Sequence, residues 1–80
     1  MDDRRKYPRM RTLKSGKILL GKRGIPIPCI IRNLSEGGAC LEFQSTYGLP
    51  ATFDFVMPDH APRHCKVAWL DAAKMGVQFQ

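Results

Sequence analysis

From residue 12 onward the apolar positions of this chain recur at every second residue, in short runs separated by glycine, proline and charged residues. No stretch sustains the three-to-four spacing of a helix, so the pattern predicts an all-β chain. Residues 12–20 form the first expected strand, and "GKRG" at 21–24 closes a hairpin, with glycine supplying the positive φ of a tight turn. In the second, residues 25–32, Ile27, Cys29 and Ile31 share a face; Pro26 and Pro28 lack a ladder N–H, which places its beginning on an edge or outside the sheet. Ala39, Leu41 and Phe43 then alternate with Cys40 and Glu42, and Phe53, Phe55 and Met57 with Thr52, Asp54 and Val56. "CKVAW" at 65–69 groups Cys65, Val67 and Trp69, and "MGVQF" at 75–79 groups Met75, Val77 and Phe79 around a turn at "DAAK". Six strands with short links predict a small closed or nearly closed antiparallel barrel, because closure removes exposed edges. In that reading Phe43, Phe53, Phe55, Trp69 and Phe79 all point inward.

Eighty residues make a single domain, one that buries about 60 to 65% of the surface its unfolded chain exposes. With 44% hydrophobic and 25% charged residues the composition is that of a folded domain. No apolar run reaches the roughly 18 to 20 residues that cross a bilayer, and the N-terminus is charged where a signal peptide is apolar. A cytoplasmic protein without membrane attachment is expected. Cys29, Cys40 and Cys65 are odd in number, lie in apolar runs and form no CxxC, so free buried thiols are expected rather than disulfides.

Charge changes this picture. Residues 1–23 carry nine Lys or Arg against two Asp, whereas residues 24–80 carry four against five. The basicity belongs to one end of the chain and points to a local anion site or a basic arm. Within that end, "RRKYPRMR" at 4–11 spaces Arg5 and Arg9 as RxxxR, and Pro8 prevents an ordinary helix there and biases Tyr7 to an extended backbone. The two arginines then read as fingers of an arm, residues 1–11, ahead of a barrel domain at 12–80. The link "NLSEGG" at 33–38 is by composition a well-made turn: Asn33 and Ser35 bond locally, and Gly37 and Gly38 permit close approaches.

Taken together, RxxxR (Arg5, Arg9) followed by NxSxxG (Asn33, Ser35, Gly38) resembles the signature of the PilZ domain family, RxxxR and then [D/N]xSxxG. The closing "KVAWLDAAKMGVQF" is similar to the family's last hairpin, with its Val-Trp pair and terminal Gly-Val-x-Phe. The resemblance implies a six-stranded PilZ barrel that binds the bacterial second messenger cyclic di-GMP, with no other cofactor. By the same resemblance Arg5 and Arg9, with Arg4 as an accessory, grip guanine edges and phosphate, Asn33 and Ser35 hydrogen-bond the ligand from the barrel, and Gly38, helped by Gly37, admits a flat base. Arginine suits both halves of such a ligand, since its planar fork matches phosphate oxygens and the paired O6 and N7 acceptors of guanine. Further expectations are a monomer or weak dimer that acts as a standalone receptor or adaptor, its self-repelling arm ordered by ligand to address an effector protein in motility or biofilm control. One ligand or a stacked pair per chain are both open. Two departures stand out: Asn33 where many relatives carry Asp, and a sequence that ends at Gln80 without the C-terminal helix of many relatives.

Other chemistries fit less well. His60, His64 and the cysteines lack zinc-knuckle spacing, and no GxSxG, HExxH or P-loop suggests an enzyme. A basic barrel that binds single-stranded nucleic acid is the rival reading, but it needs exposed aromatics in a basic groove, and the inward assignments leave mainly Tyr7 and Tyr47. A PilZ-like barrel that serves only as a protein-interaction module is the third.

Overall fold

The computed structural model of the chain describes residues 10–58 and 60–80, and within these the side chains from Lys14 onward. Six strands are present: β1 (Met10–Leu20), β2 (Ile25–Leu34), β3 (Gly38–Glu42), β4 (Thr52–Val56), β5 (Arg63–Leu70) and β6 (Lys74–Phe79). They close into an antiparallel barrel in the order β1-β2-β3-β6-β5-β4, as the period-two pattern predicts. Among the described residues there is no helix, and none long and apolar enough to cross a membrane.

Alternation works because each strand faces the core on one side and water on the other. Ile18, Ile31, Leu41, Phe55, Cys65 and Met75 are fully buried at the centre. Phe79 stacks on Phe55 with ring centroids 6.3 Å apart, and the Arg63 guanidinium lies 4.2 Å over the Phe79 ring. The barrel is thereby capped at this end by an arginine laid over an aromatic plug.

The β1–β2 hairpin turns where the sequence predicts it. Gly21 and Gly24 have φ of 69° and 64°, and the Gly24 N–H donates to the Gly21 carbonyl at 3.2 Å. Pro26 and Pro28 sit opposite Leu19 and Lys17 of β1, while the β2–β3 pairing begins only at Ile30. The prolines therefore occupy the stretch where β2 has one neighbour, as a residue without an N–H requires. The opposite barrel end is tied by Phe43 N–H to the Ala73 carbonyl at 2.7 Å, Thr46 N–H to the Ala72 carbonyl at 3.1 Å and the buried Thr46 hydroxyl to the Asp71 carbonyl. Asp71 Oδ1 accepts the N–H groups of Lys74 at 2.8 Å and Ala73 at 3.1 Å, and these two bonds hold its carboxyl below the usual range.

All three thiols are free. Burial pushes Cys29 up to about 12, and burial, partly opposed by Arg63, pushes Cys65 up to about 11. Both are neutral in the fold, and an unfolded thiol ionises at lower pH. Their contribution is full below the unfolded thiol range and is lost as pH climbs toward the folded values. The urea midpoint is expected to hold steady through neutral pH and to fall between about pH 8 and about pH 10.5; a midpoint that rises across that interval contradicts this assignment.

Candidate functional site

The "NLSEGG" segment is more strand than loop. β2 runs through Leu34 and β3 starts at Gly38, so only residues 35–37 lie between strands, and Asn33 is an in-strand residue opposite Cys40. The turn closes on itself: the Ser35 N–H donates to the Gly38 carbonyl at 2.9 Å, and the Ser35 hydroxyl donates to the same oxygen at 3.3 Å. The Ser35 oxygen keeps its lone pairs as acceptors. Gly37 accepts the Phe79 N–H at 2.9 Å, which ties the turn to β6. Gly38 is paired with Gln78, and the Val77 carbonyl oxygen fills the space that a Cβ at Gly38 would need. The glycine thus lets β3 and β6 approach each other.

Asn33 belongs to a row that crosses the outer face of the barrel. Arg11 stands opposite Asn33, Asn33 opposite Cys40, Cys40 opposite Gly76 and Gly76 opposite Trp69. The neighbours Ile31, Leu41, Met75 and Val77 are buried, so Asn33 and Cys40 take the other face. β1 begins at Met10 rather than at residue 12, which brings the Arg11 backbone into this row.

Three register shifts border the row, between Arg11 and Lys14, between Ile31 and Asn33, and between Val67 and Trp69. The last of them overturns an expectation. Trp69 is not a core residue: it is 48% exposed, because the extra residue after Val67 reverses the parity of β5 and turns the indole outward. Its ring lies over Gly76, where a Cβ would collide with the indole nitrogen. Cys40 likewise departs from the expected burial, being half-buried on the outer face. The available signals were Gly76 within a strand, which marks close approach by another group, and the run Ala68-Trp69-Leu70, whose alternation is ambiguous.

Beside the row, Arg32 and Glu42 pair at 3.0 Å on the exposed surface. His64 is bonded to Asp54 at 3.1 Å, His60 is exposed, and among the described residues no group of three or more His, Cys, Asp or Glu can hold a metal ion. The structure thus brings Asn33, Ser35, Gly37 and Gly38 together at one end of β2, β3 and β6. Arg4, Arg5 and Arg9 lie outside the described residues. They precede β1, whose Arg11 stands opposite Asn33.

Residues 3–80 match the family model described as PilZ domain. Among curated proteins, none matches the chain.

Proposed function

The chain belongs to the PilZ domain family, generally receptors for cyclic di-GMP and not enzymes, and on that premise we propose that it binds cyclic di-GMP between its N-terminal arm and the outer face of β2, β3 and β6. Arg5 and Arg9 supply bidentate donors to guanine edges and phosphate, with Arg4 in support. Asn33 and Ser35 contribute hydrogen bonds from the barrel, and Gly37 and Gly38 put no side chain between the turn and a flat base, the Cβ side of Gly38 being taken by the Val77 carbonyl. The half-exposed Trp69 indole offers an apolar plane at the far end of the row. The observation that carries this reading is the family match over nearly the whole chain together with both family motifs intact in the sequence.

Ligand binding holds the arm against the barrel, since two phosphates offset half of the four positive charges in residues 4–9. The ordered arm then presents a surface to an effector protein, which makes this barrel with its arm an adaptor. PilZ domains often act through such partners.

Calorimetric titration tests this reading with cyclic di-GMP, GMP, cyclic di-AMP and a short single-stranded DNA. Saturable binding to cyclic di-GMP alone is expected, with slower amide exchange in residues 1–9 of the complex. Arg9→Lys is expected to bind roughly ten times more weakly, because it keeps the charge and loses the fork. Heat only with DNA identifies a nucleic-acid arm instead, and silence toward all four identifies a barrel that serves protein interaction alone.

A further inference from the structure

The outer-face row carries one residue that neither family motif includes. Cys40 sits between Asn33 on β2 and Gly76 on β6, and beyond Gly76 stands Trp69. Neighbouring strands lie about 4.8 Å apart, and the Trp69 indole folds back over Gly76, so the open stretch from Asn33 to the indole runs roughly 10 Å. The indole buries Gly76, which leaves Cys40 as the open step between the Asn33 amide and the indole. The result is a shallow trough whose depth is set at position 40. On one side it is bounded by the Arg32–Glu42 pair, on the other by the Gly38–Gln78 rung.

Resting on the ligand reading above, we propose that cyclic di-GMP extends along this trough from Asn33 toward Trp69, with Cys40 as its floor contact and the size of residue 40 as a determinant of how closely a guanine settles. The register shifts support this placement. Each of the three in the described residues borders the row, and bulges cluster where a sheet re-aims side chains toward a site. Without the shift after Val67, strand parity would turn Trp69 into the core and leave the trough without its far wall. A thiol suits the floor, being small, polarizable and weakly polar, so a base can lie against it with little desolvation cost.

The three cysteines make the proposal directly measurable. Cys29 and Cys65 are 6% and 0% exposed, and their thiols are held neutral by burial. Cys40 is partly open to solvent. Alkylation runs through an accessible thiolate, so N-ethylmaleimide is expected to label Cys40 first, as read by peptide mass spectrometry of the native protein. Saturating cyclic di-GMP is expected to slow that labelling by about tenfold or more, and GMP at the same concentration much less. In calorimetry, Cys40→Phe should bind at least about tenfold more weakly than the parent, with unchanged far-ultraviolet dichroism.

If calorimetry shows cyclic di-GMP bound while Cys40 is labelled at its free rate, or Cys40→Phe binds as the parent does, the trough proposal is overturned and the receptor reading stands. Absence of any binding by the parent removes the receptor reading and this inference with it. Should Cys40→Phe fail to fold, the labelling of the native protein still decides.

Discussion

Gly38→Ala is expected to remove about 3 kcal/mol or more of folding stability, enough to leave much of the protein unfolded at 37 °C. The Val77 carbonyl occupies the position of the new methyl group, and backbone cannot swing aside as a side chain can. Making room means opening the first rung of the β3–β6 ladder, Gly38 with Gln78. That also strains the Ser35 N–H bond to the Gly38 carbonyl and the Phe79 N–H bond to the Gly37 carbonyl, each 2.9 Å and worth about 1 kcal/mol net. A domain of this size holds roughly 4 to 12 kcal/mol in total. Urea denaturation followed by far-ultraviolet dichroism measures the loss. Gly76→Ala is the informative contrast: its new methyl meets the half-exposed Trp69 indole, which rotates into solvent, so the expected cost is only about 1 kcal/mol, with a visible change in tryptophan emission. A Gly38→Ala protein as stable as the parent but unable to bind cyclic di-GMP would show that this glycine serves the ligand and not the ladder.

The double substitution Arg5→Ala with Arg9→Ala is expected to lower cyclic di-GMP affinity by two to four orders of magnitude while leaving the unfolding midpoint within about 0.5 kcal/mol of the parent. Each arginine supplies charge-assisted hydrogen bonds worth about 1.5 to 3 kcal/mol, and tenfold in affinity corresponds to about 1.4 kcal/mol. Both precede β1 and lie outside the described residues, so stability and affinity are expected to separate cleanly. The double lysine variant should recover little, because an ammonium group has no planar fork to offer a guanine edge. Titration calorimetry beside a thermal scan reads both quantities. An affinity that falls less than about fivefold would place the ligand's main grip elsewhere on the barrel.

Much of the fold is legible in the sequence. Alternation at Phe53 and Phe55, or at Leu41 and Phe43, placed these side chains inward, where all four are buried, because a two-faced strand has no other way to hide every second residue. Pro26 and Pro28 announced a one-sided stretch of β2, and Gly21 and Gly24 announced a turn. The motif residues of the candidate site were equally visible as letters. What they do for the fold was not: the Ser35 hydroxyl bonds the Gly38 carbonyl, and Gly38 admits β6, so both carry a structural duty alongside the ligand roles proposed for them. By composition Asn33 is a loop residue, yet β2 continues through Leu34, since Asn is a default turn former and its strand pairing depends on Cys40 across the sheet.

The amino-acid sequence by itself determined the class of fold and the family, because period-two patterning, turn glycines and two spaced motifs are local properties of the chain. The tertiary structure decided which residues share the outer face. A bulge inserts one residue and reverses the parity of everything beyond it. Where the neighbours are Ala68 and Leu70, alternation is ambiguous, and Gly76 within a strand marks only that another group comes close. Only strand pairing shows Trp69 turned outward onto Gly76, in line with Cys40 and Asn33.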